Sequence, residues 1–305
     1  MTQETEMKTV TKLVLVTAAL LFAATSAAQD ESRDDAEQLK IAAIEALMHA
    51  PPERALPLVR KVLAGNHSNE IKERALFILS QVDDPAAQAT LLEFANESSG
   101  ELQLEAIRMI GIGGDEDALS NLKAIYASGD SDAREAVLEA FMIAGDKQAV
   151  FDIAVTAEGD EFENAVDMLS VMGARDELRE LRNRTGASEA LIHAYAVSGD
   201  FEPLRELALD GTDVELQVEA IHAMGIVGGE QVEATLVEIY RGAESEDIRE
   251  AALDGMLISG YDAGVLELYR SSQDAAEKME LLQRLVIMGG DEVWNIIDST
   301  LDGSQ

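Results

Sequence analysis

The sequence predicts an all-α fold, a right-handed α-solenoid of about nine stacked helix pairs. One observation is an internal repeat, because residues 101–107 (ELQLEAI) return as residues 215–221 (ELQVEAI). The match continues, so that residues 101–173 and 215–289 are predicted to be two copies of one block. A second observation is composition, since aromatic residues make up only 4% of the chain and there are five prolines. Such a composition favours helices over strands.

Apolar spacing places two helices in each repeat. Leu102, Ala106, Met109 and Ile110 are spaced as one buried face of a helix, and a glycine turn follows them. A second helix runs from about residue 116 to the next glycine, and Asp132 is predicted to be the N-cap of the helix after it. The first helix of each pair is predicted to begin near Leu39, Ile71, Leu102, Ala133, Glu161, Ala187, Leu216, Ile248 and Glu277.

Residues 1–28 have the three parts of a secretory signal peptide. Lys8 and Lys12 precede an apolar run over residues 13–24, and Ser26-Ala27-Ala28 supplies the small residues of a cleavage site. The run is shorter than the ~20 residues that a spanning helix needs, so an uncleaved membrane anchor is the weaker alternative. We therefore expect a periplasmic protein whose mature part, residues 29–305, is one solenoid domain.

The charge and the cysteine content exclude several kinds of site. A net charge of −36 argues against nucleic acid as a partner, because a phosphate backbone needs clustered lysine and arginine. The acidic surface either attracts a basic partner or keeps the protein soluble in salt. Without cysteine, the chain has no disulfide and no thiolate metal site.

The repeats resemble the HEAT family, particularly its short bacterial variety. That family's first helix reads apolar–Arg–x–x–Ala–x–x–Ala–Leu–Gly–x–x–Gly, and the segments 133–145 and 248–260 follow it closely, with Arg134 and Arg249 at the arginine position. The resemblance covers about residues 36–300 and implies a binding platform. In this family the arginine usually braces adjacent repeats, so Arg134 and Arg249 are expected to bond to acids, such as Asp132 and Asp247, and to helix ends.

No constellation of catalytic residues stands out in the sequence. HEAT-like iron hydroxylases carry His-Glu pairs, whereas no glutamate follows any of the histidines here, which are His49, His67, His193 and His222. We therefore predict no catalytic residue, no cofactor and no metal. The alternative is a metal-assisted or lyase-type HEAT-like enzyme, in which His193 and His222 bind one zinc ion with the help of Asp167 or Asp254.

Partner-binding residues follow from the register of the first helices. In HEAT folds the arginine-bearing helix lines the concave face, and its seventh position, counted from the first apolar residue, points away from the buried stripe. These positions, here called the ladder, predict a surface that binds a protein or a peptide, of basic character if the acidity serves binding. The members predicted to bind are Phe77, Arg108, Glu139, Asp167, His193, His222 and Asp254.

The end of the array is predicted to be capped by its last helix. A terminal repeat must shield the stacked core from water. Trp294, the only tryptophan, is therefore expected to pack against the preceding helix and to cover Leu281, Leu285 and Met288.

Overall fold

The computed structural model describes residues 36–301, and this part of the chain is helical throughout, with no strand. Its contacts divide it into two compact units, which meet in the sequence between Ala144 and Gly145. The all-α prediction is thus confirmed for the described residues. The hand of the solenoid and the number of pairs stay predictions, as does the signal peptide, which lies outside the described residues.

The first unit holds helices α1 to α7. Their bounds are α1, 36–45, which runs into a 3-10 turn, Ala46–His49; α2, Pro52–Ala64; α3, Asn69–Gln81; α4, Pro85–Glu97; α5, Glu101–Gly113; α6, Glu116–Ser128; and α7, Ser131–Ala144. Helices α3, α5 and α7 pack side by side in one layer, and α2, α4 and α6 form the other. Buried aliphatic residues fill the space between the two layers.

The second unit repeats this arrangement with more helices. Its elements are α8, Lys147–Ala154; α9, Asp160–Val171; α10, Arg175–Thr185; α11, Glu189–Ser198; α12, Phe201–Asp210; α13, Val214–Val227; α14, Glu230–Gly242; α15, Glu246–Ser259; α16, Asp262–Ser271; α17, Ala275–Met288; and α18, Asp291–Leu301. Helices α9, α11, α13, α15 and α17 lie side by side as its first-helix layer. The first helices begin within about three residues of the predicted positions, as expected of local signals.

Aspartate caps start several helices, but one cap lies two residues from its predicted place. The backbone N–H of Ala133 donates to the Asp130 carboxylate at 3.0 Å, and α7 begins at Ser131. The prediction that Asp132 is the N-cap is therefore wrong. Asp132 lies inside the first turn, where the helix dipole also favours a negative charge.

Glycine allows a close contact between two first helices in each unit. A Cβ atom at Gly111 of α5 would lie 2.5 Å from the backbone oxygen of Ala140 in α7. The corresponding residue of the second copy, Gly225 of α13, faces Gly255 of α15, whose oxygen would lie 2.8 Å from such a Cβ. Both copies thus use glycine to bring neighbouring first helices together at the same point.

The two repeat arginines bind helix ends, as the resemblance implies, whereas the expected ion pair of Arg249 with Asp247 does not form within the described residues. Arg134 Nε donates to the carbonyl of Tyr126 at 3.2 Å, and its guanidinium lies 5.9 Å from the centre of the Tyr126 ring. Arg249 donates to the carbonyl of Ala243 at 3.1 Å. Each arginine therefore joins a first helix to the end of the second helix before it.

The last helix shields the core with a different residue from the predicted one. Trp294 is 61% exposed, so the prediction that it packs against α17 is wrong. Val293 is buried instead, and so are Leu281 and Leu285 on α17. A small β-branched side chain fills the space between α17 and α18, and the neighbouring indole consequently points outward.

No helix of the described residues has the length and the apolar character to cross a membrane.

Candidate partner-binding surface

In the first unit, two of the ladder residues, Arg108 and Glu139, form an ion pair with each other. Phe77 on α3 is half-buried. Arg108 Nε donates to the Glu139 carboxylate at 2.7 Å, which ties α5 to α7, and Glu105 lies 3.7 Å from the same guanidinium. The hydrogen bond to Glu139 raises the pKa of Arg108 above its ordinary value. The positive charge of Arg108 is therefore held by two carboxylates and is not free to anchor an anionic ligand.

In the second unit, two ladder residues share a groove and two stand apart from it. His222 on α13 and Asp254 on α15 line the same open groove between these helices. Asp167 on α9 and His193 on α11 are exposed and do not line this groove. The structure therefore brings His222 and Asp254 together and leaves His193 one helix away.

The groove has a volume of about 490 Å³ and an acidic lining, and we call it the acidic groove. Helices α13 and α15 supply most of its walls, and α11 contributes Glu189 at one edge. Apolar contributions come from Val214, Val218 and Ala251. The charged and polar lining consists of Glu189, Glu215, Glu219, His222, Asp247, Glu250 and Asp254.

Only part of this negative charge is neutralised. Arg284 of α17 lies 2.5 Å from the Asp254 carboxylate and 3.4 Å from that of Glu250. Within residues 36–301, the other four carboxylates form no ion pair; they are Glu189, Glu215, Glu219 and Asp247. Six carboxylates thus face one arginine and one histidine, and the groove carries a local excess of negative charge that favours a cationic ligand.

The zinc alternative is not supported by the geometry. Over the described part of the chain, no three histidine, aspartate or glutamate side chains are grouped closely enough to hold a metal ion. The pair His193 and His222, with Asp167 or Asp254 as the third ligand, does not form such a group.

Most of the acidic groove was absent from the sequence prediction, although the sequence carries a signal for it. Residues three, four or seven positions apart in the sequence lie on the same face of a helix. Glu250 and Asp247 lie four and seven residues before Asp254, and Glu215 lies seven before His222. Reading the helix face toward its N-terminus from the ladder would therefore have found these carboxylates.

Comparison with known proteins supports helical repeats for part of the chain. Residues 65–142 match the family model described as HEAT repeats. This segment is similar to HEAT repeats. The complex of CpcE and CpcF of phycocyanin lyase from Nostoc sp. PCC7120 is similar in structure over 76% of this chain and 94% of that chain, with 18% identity and a TM-score of 0.34. That likeness carries no argument about activity. Comparison with curated proteins gives no match.

Proposed function

We propose that the protein is an exported, non-enzymatic scaffold that binds a basic protein segment on its first-helix layer, with the acidic groove as the centre of the site. The observation that carries this proposal is the set of four carboxylates in the groove that form no ion pair within residues 36–301. Export rests on the signal-peptide pattern of residues 1–28.

A protein segment fits this groove better than a small molecule does. Small-molecule sites are mostly apolar and bury most of the ligand, whereas this groove is open and seven of its ten lining residues are acidic or histidine. A protein segment carries several lysine and arginine side chains on one backbone, and these side chains reach carboxylates that lie apart in the groove. Hydrogen bonds between charged groups contribute more than hydrogen bonds between neutral groups.

Neutralising the groove should weaken the binding of a basic peptide. The test variant is Glu215→Gln, Glu219→Gln and Asp247→Asn, and the probe is a fluorescent oligolysine peptide. Removing three carboxylates should reduce affinity on the order of tenfold, because each close charge pair contributes about 0.5 kcal/mol. Titration by fluorescence anisotropy at low salt measures the change, and rising salt should weaken the wild-type complex.

A matched variant distinguishes binding in the groove from a general attraction by the net charge of the protein. Glu202→Gln, Glu238→Gln and Glu244→Gln remove the same charge from exposed positions outside the groove. Circular dichroism checks that both variants keep their helices. If the two variants lose affinity equally, the peptide responds to net charge alone and the proposed site is wrong.

A further inference from the structure

An exposed aliphatic residue stands at one repeated position in seven of the first helices described. It lies two residues before the glycine of positive φ that ends each helix. Its exposure ranges from 39% at Ile112 to 70% at Val171. We call these residues the aliphatic row: Ile112 and Ile143 in the first unit, and Val171, Val197, Ile226, Ile258 and Ile287 in the second.

The aliphatic row follows the ladder by four residues in every one of these helices. Arg108 precedes Ile112, for example, and His222 precedes Ile226, in both cases by four positions. Residues four apart lie on the same face of a helix, one turn from each other. Within each unit, the row and the ladder therefore lie on the same face of the first helices.

Carboxylates occupy the opposite end of this surface. Exposed glutamates lie four residues before the ladder in several first helices, namely Glu135, Glu163, Glu189 and Glu250. In α11 the order along the helix is Glu189, His193 and Val197, and in α15 it is Glu250, Asp254 and Ile258. Each of these helices thus presents an acidic end, a polar middle and an aliphatic end.

Helix formation does not account for the aliphatic row. Valine and isoleucine have lower helix propensity than the lysine or glutamate that an exposed position accepts. The apolar contact that often accompanies a helix end uses a residue further back, which here is already buried, as Ile110 and Met256 are. Single exposed aliphatics are ordinary, but the same choice at one position of seven helices indicates a surface used for contact.

We infer that the second unit binds a basic amphipathic helix of a partner protein, whose apolar side lies on the aliphatic row and whose basic side faces the acidic groove. This inference rests on the proposed function and names the form of its partner. Neighbouring first helices are about 8–10 Å apart, so the five aliphatic residues of this unit extend over roughly 35–40 Å. A helix of about 25 residues covers that distance.

The negative charge of this surface favours a basic helix over two other occupants, a lipid surface and a second copy of the chain. Anionic lipid headgroups would be repelled by the carboxylates beside the aliphatic row. A second copy of the chain would bring another net charge of −36 to the same surface. A helix with lysine or arginine along one side and apolar residues along the other pairs with the carboxylates and covers the aliphatic row.

The test compares two peptides of identical composition. One is a leucine–lysine peptide with helical apolar spacing, and the other is its scrambled isomer. The row variant carries Val197→Ser, Ile226→Ser and Ile258→Ser. The control variant carries Leu39→Ser, Met48→Ser and Leu58→Ser, which replace apolar residues of similar exposure outside the row. Since all six side chains are exposed, we expect both variants to fold.

The patterned peptide should bind the wild type more tightly than its isomer does. The row variant should lose at least tenfold in affinity for the patterned peptide, because three apolar side chains no longer become buried on binding. Its affinity for the scrambled isomer should be unchanged, as should both affinities of the control variant. Isothermal titration calorimetry measures all of these affinities.

Three other outcomes would refute the amphipathic partner, and one of them would also refute the proposed function. Equal, salt-sensitive binding of both peptides, unaffected in the row variant, refutes the amphipathic partner and keeps the acidic scaffold. Absence of salt-sensitive binding by either peptide refutes both proposals. If sedimentation shows a dimer that the row variant abolishes, the row is a self-association surface and the inference is wrong.

Discussion

Replacing Phe141 by alanine is expected to destabilise the first unit by about 3–5 kcal/mol. Phe141 lies on α7, has no exposed surface and is one of the largest fully buried side chains. Its removal loses the transfer free energy of the ring and leaves a cavity between the helix layers. Because folded domains are stable by only about 5–15 kcal/mol, urea denaturation should show a large fall in the unfolding midpoint.

The control for Phe141 lies two residues further along the same helix. Ile143 is 47% exposed, so Ile143→Ala should change the free energy of unfolding by less than about 0.5 kcal/mol. A Phe141→Ala variant that unfolds at the same urea concentration as Ile143→Ala would show that this side chain does not belong to the core.

Replacing Gly111 by alanine is expected to cost about 1–3 kcal/mol. The new methyl group would meet the backbone of Ala140, and no flexible side chain lies there to move away. Helices α5 and α7 would have to move apart at this point. The same reasoning applies to Gly225→Ala, which meets the backbone of Gly255. Thermal unfolding followed by circular dichroism measures both losses.

Gly242→Ala is the matched control for the glycine variants. Gly242 is also helical, at the end of α14, but nothing lies within 4 Å of a Cβ added there. Alanine should therefore stabilise this helix by about 0.5–1 kcal/mol through its higher helix propensity. Opposite signs at Gly111 and Gly242 are the expected result, and a stabilised Gly111→Ala variant would refute the close helix contact.

Local signals predicted most of the helices. Apolar spacing and glycine turns are properties of a dozen consecutive residues, and the starts near Ile71 and Leu102 were consequently found to within two residues. Which side chains are buried by packing between helices was harder to predict. Val293 and Trp294 are both apolar, and only the docking of α18 on α17 decides which of them is buried.

The ladder and the acidic groove overlap only in part, and the binding role of the ladder stays a prediction. The ladder includes two residues of the acidic groove, His222 and Asp254. It does not predict that Glu139 neutralises Arg108, because that contact depends on side chains of two separate helices. It also omits Glu215 and Asp247, which lie two turns away on the same face.

Binding of a basic segment in the acidic groove is tested directly by carbodiimide coupling of the oligolysine peptide to the folded protein, with the joined residues identified by mass spectrometry. Carbodiimide links a lysine amine only to a carboxylate in contact with it, and the chain offers 59 acidic residues in competition. If the acidic groove binds the peptide, the links concentrate on Glu189, Glu215, Glu219 and Asp247 and disappear at high salt. Links spread over the whole chain, or concentrated on Glu202 and Glu238 of the second helices, would show that the groove is not the binding site.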